Sequence, residues 1–364
     1  MNYKLEIKKL ALKNIKKTHF NFIKKSLPNL NKKKWEWEYK ESNPLGYCFV
    51  AKINGIYVAH NSFILSKFKL NNKEILVAKS EGSYADLGLI KKLTGTNLRV
   101  FRELVRKALE IMKKEKISIA YGFPNNLGHK SYIYGGYTLK KIVIYNSNLI
   151  TNFNYYVYKK NYKLNILLKP ITKILNVVWK NFFLKTLLLF SNKRVNSVLP
   201  LSSKDLLKIE KLYLKVSKSQ PKNYLSVIRS KEYIKWRYLK NPHHKYFIFG
   251  LHKNKNLEGV VIFNTATYKN YKNLEIKDIL FSSESAFNIL LSFIMKWSMK
   301  NDISITTLWE DCNTLNKVSK KTFYKNGFIK NRIKTKKVLI FSLLNKINLK
   351  NDISLELKKY LERT

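Results

Sequence analysis

The sequence has few cysteines, glycines and prolines. Cys48 and Cys312 are its two cysteines among 364 residues, so a disulfide framework and a four-cysteine zinc site are both excluded. Twelve glycines and seven prolines are too few for a collagen-like chain or a proline-rich linker protein. Hydrophobic residues make up 45% of the chain and aromatic residues 13%, which excludes full disorder. We expect two free thiols in a reducing compartment.

Acidic residues are also scarce. The 23 Asp and Glu residues stand against 71 Lys and Arg, which gives a formal net charge of +48. A charge of this size attracts polyanions such as nucleic acid, anionic lipid or nucleotide-linked substrates. The basic residues are mostly Lys and are spread along the chain, and a codon bias toward A and T explains that distribution equally well. Nucleic acid is therefore one candidate partner, with no dedicated surface assigned to it.

The Lys-rich residues 1–17 contain no apolar run, so we expect no secretory signal there. Residues 170–191 are the most hydrophobic stretch and are long enough to span a bilayer, but three lysines interrupt them, at a high cost for a span. The interrupting residues are Lys173, Lys180 and Lys185. The pattern predicts an amphipathic helix packed on a cytoplasmic protein. The alternative is a helix in the membrane interface, since one Trp and two Phe lie on it.

Hydrophobic periodicity predicts a similar order of elements twice along the chain. In the first half we predict a helical start over residues 5–28, strands over 47–51 and 56–64 joined at Asn54-Gly55, an extended region over 74–89, a helix over 97–114, and strands over 117–123 and 139–145. In the second half we predict strands over 246–251, 259–265 and 276–281, a helix over 286–299, and strands over 303–309 and 338–341. The predicted architecture is α/β, with a mixed, mostly antiparallel sheet flanked by helices occurring twice.

A turn containing glycine precedes the long predicted helix of the first half. Leu87 to Ile90 is predicted as a strand, Gly95 lies in the turn, and the helix begins near Asn97. The N-terminus of a helix presents unpaired N–H groups and the positive end of its dipole, so it suits a phosphate. Gly95 allows close approach of the backbone, while the spacing of a P-loop is absent. The sequence predicts a pyrophosphate site near residue 97, and a plain turn is the alternative.

The same segment resembles the pyrophosphate loop, R/Q-x-x-G-x-G/A, of the GNAT acetyltransferase superfamily. In residues 92–97 the basic Lys92 and the first glycine, Gly95, match, whereas Asn97 stands where the family has Gly or Ala. Downstream, the family's Asn, Tyr and Gly-aromatic spacing is matched by Asn125, Tyr132 and Gly136-Tyr137. The strings Lys79-Ser80-Glu81-Gly82-Ser83 and Gly122-Phe123-Pro124-Asn125 are similar to a GNAT branch associated with polysaccharide and amino-sugar acylation. The resemblance covers about residues 30–150.

The resemblance implies two GNAT-like domains. Residues 1–150 would form the catalytic domain that binds acyl-CoA, residues 151–200 a basic amphipathic helical connector, and residues 201–364 a second, degenerate domain. In that second domain Asn316, Phe323 and Gly327-Phe328 repeat the downstream spacing, but Phe323 stands at the tyrosine position and cannot donate a proton. We therefore expect donor chemistry in the first domain alone.

The activity implied is transfer of an acetyl or other acyl group from acyl-CoA to a primary amine, by direct attack in a ternary complex and without a metal. The acceptor implied is an amino sugar of a surface polysaccharide precursor. Tyr132 would be the acid toward the leaving thiolate, and Glu81 the base, with Asp86 as its competitor. Tyr132 packing on the sheet and a surface salt bridge of Glu81 are the structural alternatives. The residues implied in cofactor binding are Leu87, Leu89, Lys92, Gly95, Thr96, Asn97 and Asn125.

Two other functions are compatible with the sequence. Tandem GNAT-like folds also resemble peptidoglycan aminoacyltransferases that use aminoacyl-tRNA, and a charge of +48 suits a tRNA substrate. The third candidate is a non-catalytic protein that binds a polyanion or a membrane through its basic faces.

Overall fold

Fourteen strands form the centre of the protein. The computed structural model describes residues 3–11, 15, 17–26, 31–42, 46–97, 99–123, 126–160, 162–186, 193–220, 224–269, 271–311, 318, 320–342 and 354–355. The strands are β1 Leu5–Ala11, β2 Tyr47–Ile53, β3 Ile56–Leu70, β4 Lys73–Ala85, β5 Ile119–Gly122, β6 Thr138–Ile150, β7 Val198–Pro200, β8 Tyr224–Val227, β9 Tyr246–Lys253, β10 Asn256–Tyr268, β11 Tyr271–Phe281, β12 Ile303–Asp311, β13 Phe328–Ser342 and β14 Ser354–Leu355.

Helices flank the sheet. They are α1 Lys17–Ser26, α2 Lys32–Tyr39, α3 Leu87–Thr94, α4 Val100–Lys114, α5 Asn126–Tyr134, α6 Phe153–Lys160, α7 Tyr162–Val178, α8 Leu206–Ser217, α9 Lys231–Ile234, α10 Glu284–Lys300 and α11 Lys320–Lys325. A π-helical turn, Trp179–Leu184, continues α7, and a second one, Lys235–Leu239, continues α9. Among the residues that the structure describes, none of the helices combines the length and apolar character needed to cross a bilayer.

The sheet joins the two halves of the chain by exchanging strands. Its main path runs β1-β2-β3-β4-β5-β13-β6-β12-β11-β10-β9-β7, and β8 pairs with both β3 and β14. Thus β13, from the second half, lies between β5 and β6, while β6, from the first half, lies between β13 and β12. We call residues 3–150 the first half and residues 198–342 the second half. The division into domains at residues 150 and 200 stays a prediction.

The predicted fold class is confirmed. The sheet is mixed and mostly antiparallel, with parallel pairing between β4 and β5, between β11 and β12 and between β8 and β14. The predicted hairpin joins β2 and β3 at Asn54-Gly55, where both residues have positive φ, as a tight hairpin turn requires. The first-half order of three antiparallel strands, helix, strand, helix and strand returns in the second half as β9 to β13 with α10 and α11.

Apolar cores lie on both faces of the first-half sheet. Helix α4 covers one face, and its buried residues, such as Leu104 and Ala108, recur at helical spacing as predicted. The other face is covered by α1, α2 and elements of the second half, and there the α2 residues Trp35, Trp37 and Tyr39 are buried. The sheet therefore separates two distinct environments on either side of β4 and β5.

The predicted helical start over residues 5–28 is wrong in its first part. Residues Leu5–Ala11 form the edge strand β1, antiparallel to β2, and the helix α1 begins only at Lys17. Leu5 and Ile7 pack on the α4 side of the sheet and Leu10 on the other side. This alternation is that of a strand with a core on both faces, which helical periodicity resembles over so short a stretch.

The predicted strand from Leu87 to Ile90 is also wrong, because this segment is part of helix α3. The Asp86 carboxylate accepts a hydrogen bond from the Leu89 N–H at 3.0 Å and so caps the start of the helix. Gly95 ends it in the left-handed conformation, at φ 73°, which favours glycine at this position. The next helix, α4, begins at Val100 rather than at Asn97.

Candidate active site

Strands β4 and β5 part at a defined point. They pair over residues 77–80 of β4 and 119–122 of β5, where β5 ends, whereas β4 continues to Ala85. Gly122 makes the last paired approach close, since a Cβ at this position would lie 3.2 Å from the Ser80 Cβ. A gap between parallel strands at their carboxyl ends is a place where a fold accepts a ligand.

A bulge in β4 lies beside this gap. On β3, Asn61 alone stands between His60, which pairs with Tyr84, and Ser62, which pairs with Glu81, so two residues of β4 oppose one of β3. These two residues are Gly82 and Ser83, and Gly82 has a positive φ of 59°. The bulge brings Ser80 and Ser83 to the same side of the strand, although regular alternation would place residues three apart on opposite sides.

Tyr132 of α5 meets both serines. Its hydroxyl oxygen lies 2.6 Å from Ser80 Oγ, 2.5 Å from Ser83 Oγ and 3.3 Å from Asn61 Oδ1. Ser80 and Ser83 also donate to Asn61 Oδ1, at 2.8 and 3.0 Å. We call these four residues the hydroxyl cluster. The cluster has three hydroxyl protons and more oxygen–oxygen contacts than protons. The phenol proton of Tyr132 therefore has several possible acceptors within hydrogen-bond distance: the two serine hydroxyls and the Asn61 amide oxygen.

The environment of the hydroxyl cluster keeps the phenol protonated. Tyr132 is only 3% exposed, and burial raises its pKa, although the hydrogen bonds to Ser80, Ser83 and Asn61 act in the opposite direction. A phenol with a raised pKa is neutral at physiological pH and is able to donate a proton. Ser83 is exposed, so the cluster reaches the surface at this residue.

Glu81 lies on the other face of the sheet. Ser80 pairs with Phe63, which belongs to the core on the α4 face, whereas Lys79 pairs with Ile64, which belongs to the core beneath α1 and α2. Glu81 is two residues from Lys79 on the strand and therefore lies on the same face as Lys79. Glu81 forms an ion pair with Lys79, and the two side chains are 10% and 9% exposed. The structure therefore places the two predicted catalytic residues at the same gap but on opposite faces of the sheet, and the charge of Glu81 adds to the rise of the Tyr132 pKa.

The start of α4 lines a cleft. The cleft has a volume of about 400 Å³ and is lined by Leu5, Thr96, Asn97, Arg99, Arg102 and Glu103. Arg99 is the N-cap residue of α4, and its side chain makes no capping hydrogen bond. The guanidinium carbons of Arg102 and Arg99 lie 5.1 and 5.9 Å from the centroid of the Tyr134 ring on α5. Helix dipole and guanidinium groups together suit an anion such as a diphosphate.

The predicted cofactor-binding residues fall into three groups. Thr96 and Asn97 line the cleft, and Gly95 is exposed beside it, with open space around the position of a Cβ. Leu87, Leu89 and Lys92 lie on α3, and none of them is among the residues that line the cleft; Leu87 is 70% exposed, and Leu89 packs against the core on the α4 face. Asn125, like Cys312 and Asn316, lies outside the described residues.

Five residues of the candidate site were not predicted from the sequence: Arg99, Arg102, Ser80, Ser83 and Asn61. A glycine within a predicted strand was a signal for the bulge at Gly82. The two arginines follow the turn directly, in a chain whose basic residues are mostly Lys, and arginine is the residue that grips phosphate in a bidentate manner. Asn61 carries no sequence signal, because its role depends on pairing with a strand that bulges opposite it.

The residues described at two equivalent positions of the second half differ from those of the first. At the equivalent helix, α10, the Ser283 side chain accepts a hydrogen bond from the Ala286 N–H at 3.2 Å and so caps the N-terminus. Phe323 occupies the place of Tyr132 and packs on Phe287 with ring centroids 5.4 Å apart, as Tyr132 packs on Phe101 at 5.6 Å. These two positions therefore offer neither a phenolic proton nor an uncapped helix N-terminus.

Several solved structures with a similar fold are described as acyltransferases or as probable acyltransferases. A conserved protein of unknown function from Enterococcus faecalis, described as a probable N-acyltransferase, aligns with 94% of this chain and 73% of its own, at 12% identity and a TM-score of 0.63. A GCN5-related N-acetyltransferase from Anabaena variabilis aligns with the same shares at 11% identity and a TM-score of 0.60. Saccharomyces cerevisiae N-myristoyltransferase with bound myristoyl-CoA aligns with 92% of this chain and 82% of its own, at 11% identity and a TM-score of 0.53.

No protein-family model matches the sequence, and no curated protein matches it. The similarity is therefore one of three-dimensional structure, at sequence identities that show the fold alone. The protein has the fold of the GCN5-related N-acetyltransferases.

Proposed function

We propose that this protein transfers an acetyl or other acyl group from acyl-CoA to a primary amine. The observation that carries the proposal is the hydroxyl cluster, which holds the phenol of Tyr132 at the gap between β4 and β5. The neighbouring cleft supports it, since Arg99, Arg102 and the uncapped start of α4 offer positive charge to a diphosphate. The fold of the structural neighbours is compatible with the same chemistry.

In the proposed reaction the acid and the base act from opposite faces of the sheet at this gap. The nitrogen of the amine attacks the thioester carbonyl carbon, the carbon–sulfur bond breaks, and the thiolate of the CoA leaves. Tyr132 donates its phenolic proton to this thiolate from the α4 face. Glu81, on the opposite face, takes a proton from the substrate ammonium and so produces the neutral amine that attacks; the second proton, lost from nitrogen as the amide forms, restores the Tyr132 phenol through solvent. Holding both substrates in the gap supplies the alignment that direct transfer needs.

The acceptor we propose is the amine of an amino sugar in a surface polysaccharide precursor. Support for it comes from the sequence resemblance of residues 79–83 and 122–125 to a GNAT branch associated with such acceptors. Mass spectrometry of surface glycans from cells that lack the protein tests this point. We expect loss of an N-acyl group from one sugar, and unchanged glycans would contradict the proposed acceptor while leaving acyl transfer intact.

Binding of the donor is tested with acetyl-CoA on the purified full-length protein, by calorimetry. We expect Arg99→Ala with Arg102→Ala to weaken binding about tenfold or more, because two guanidinium contacts to phosphate are lost. Arg106→Ala is the matched control: Arg106 lies on the same helix but pairs with Glu103 and Glu110 at 3.1 and 3.0 Å. Equal effects of the double variant and the control would overturn the donor site.

Substrate class is tested with the same protein. Acetyl-CoA is expected to raise the melting temperature and tRNA to leave it unchanged. A shift with tRNA and none with acetyl-CoA would instead favour the aminoacyl-tRNA-dependent transferase that the charge of +48 allows. Release of free CoA thiol in the presence of glucosamine then reports turnover directly.

A further inference from the structure

One long stretch of the chain contains no acidic residue. Between Glu115 and Asp205 the sequence contains no Asp or Glu and 14 Lys or Arg residues. All 23 acidic residues of the protein lie outside this stretch. We call residues 116–204 the acid-free segment. A uniform codon bias toward Lys does not by itself remove every acidic residue from one part of the chain, so this segment has a charge character of its own.

An apolar stripe lies exposed in the middle of the acid-free segment, on α7 and the π-helical turn that continues it. We define the apolar stripe as Ile171, Ile174, Leu175, Val178 and Phe182, which are between 45% and 70% exposed. Their spacing of three and four residues places them along one side of the helix. Exposed large apolar side chains occur singly on most proteins, but a continuous row of them marks a surface of interaction.

The helix is attached to the protein by its opposite, more polar side. Thr172 is buried. Asn176 Oδ1 accepts a hydrogen bond from the Phe153 N–H at 2.6 Å, and Trp179 Nε1 donates to the Ile150 carbonyl at 2.6 Å. In an ordinary surface helix the apolar side faces the core and the polar side faces water. Here this arrangement is reversed, so the apolar stripe is held outward by contacts that fix the helix.

Lysines lie on the same helix, on a side away from the apolar stripe. Lys169 and Lys173 are exposed, and Lys180 pairs with Asp302 at 3.7 Å; each lies one or two residues from members of the stripe, a spacing that does not place side chains on the same side of a helix. An apolar side combined with a lysine-rich side, with aromatic rings at one end, is the pattern of a helix that lies in the headgroup region of an anionic bilayer. A second copy of this chain is a poor occupant, because pairing two apolar stripes would bring two acid-free segments together and their positive charges would repel.

We propose that the apolar stripe inserts into the surface of a bilayer that contains anionic lipid, with the lysines on the polar side of the helix in the headgroup layer. The protein then binds the membrane peripherally through α7 and its π-helical continuation. Apolar burial supplies the insertion, and the acid-free segment supplies the attraction to negative headgroups. This contact is independent of the proposed acyl transfer, because no residue of the hydroxyl cluster or of the cleft takes part in it.

Flotation of the full-length protein with lipid vesicles tests the proposal. We expect binding to vesicles of phosphatidylcholine mixed with phosphatidylglycerol, little binding to phosphatidylcholine alone, and weaker binding at high salt. Ile174→Glu with Val178→Glu is expected to reduce binding about tenfold or more, since two charges replace inserted side chains. The matched control is Leu207→Glu with Leu214→Glu on α8, where the two leucines are 54% and 52% exposed.

Each outcome decides the proposal. Selective binding that is lost in the α7 variant and kept in the α8 variant supports it. Absence of binding to the anionic vesicles overturns it, and so does equal binding by the α7 variant and the wild type. Light scattering of the protein without lipid tests the other occupant: a dimer that the α7 variant converts into a monomer would assign the apolar stripe to a second copy of the chain. Melting temperatures of both variants are measured first, to show that they fold.

Discussion

Trp37 and Trp236 donate a hydrogen bond to each other's backbone. The indole N–H of Trp37 donates to the Trp236 carbonyl at 2.8 Å, and the indole N–H of Trp236 donates to the Trp37 carbonyl at 2.8 Å. The rings stack with centroids 5.4 Å apart. This reciprocal contact joins the two halves of the chain, as the pairing of β13 with β5 and β6 does within the sheet.

Removing one indole donor should destabilise this junction. Trp37→Phe leaves the buried Trp236 carbonyl without its donor, at a cost of about 1–3 kcal/mol, in addition to the loss of ring packing. Because the two bonds share one stacked pair, we expect Trp37→Phe and Trp236→Phe to be non-additive in the double variant. Urea denaturation of the four proteins measures this coupling. Strictly additive effects would show that the two bonds act independently.

The strand exchange predicts that the halves do not fold separately. Residues 1–150 expressed alone lack β13, which lies between β5 and β6 in the intact sheet, so both strands would present open edges prone to aggregation. We expect this fragment to be insoluble and to become soluble when it is co-expressed with residues 151–364. Gel filtration of both preparations provides the measurement. A monomeric 1–150 fragment that unfolds cooperatively would instead support the predicted domain division at residue 150.

Local pattern was sufficient for several elements. The Asn54-Gly55 hairpin and the helical spacing of the buried residues of α4 both depend on residues near in sequence, where periodicity and turn chemistry are informative. The order of elements in the second half was predictable on the same basis. The insertion of β13 between β5 and β6 was not, because strand periodicity identifies a buried face but does not identify the partner strand.

The candidate site was predictable only in outline. Tyr132 was found by resemblance, and Glu81 as a carboxylate on the strand before the loop in a chain with few acidic residues. Their placement on opposite faces depends on the register of β4, which a bulge alters at Gly82. Leu87 was assigned to a strand because an apolar run of four residues fits either element. The segment forms a helix whose first turn is capped by the Asp86 carboxylate, and the hydrogen bond that this carboxylate accepts from the Leu89 N–H is visible only in the structure.

Loss of the Tyr132 hydroxyl should abolish most of the proposed activity. Tyr132→Phe keeps the ring but removes the proton donor, so we expect kcat to fall about 10²–10⁴-fold, with the Kd for acetyl-CoA little changed. Tyr137→Phe is the matched control, since Tyr137 is also 3% exposed and its ring lies 5.1 Å from that of Tyr132, while its hydroxyl is not part of the hydroxyl cluster. Initial rates of CoA release give kcat. Similar rates in both variants would remove Tyr132 from the mechanism.

His19 should make the protein less stable in mild acid. Its side chain is fully buried, stacks on Tyr57 and lies 3.8 Å from the Cys48 sulfur. Burial lowers its pKa from 6.5 to about 4, and the charge of Lys52 adds to the effect. The unfolded chain therefore binds a proton that the folded protein excludes. This contribution to stability is complete above about pH 6.5 and is lost as the pH falls toward 4, by roughly 3 kcal/mol in total.

Denaturation in urea at a series of pH values between 7 and about 4.5, close to the native pKa of His19, measures this loss. His19→Gln removes the titrating group, so the variant should be less stable than the wild type at neutral pH because it disturbs the packing. Its stability should nevertheless fall less steeply on acidification. The difference between the two slopes isolates His19 from the carboxylates that titrate in the same range. Parallel slopes would mean that His19 is protonated in the folded protein, or that the imidazole reaches water in the native state.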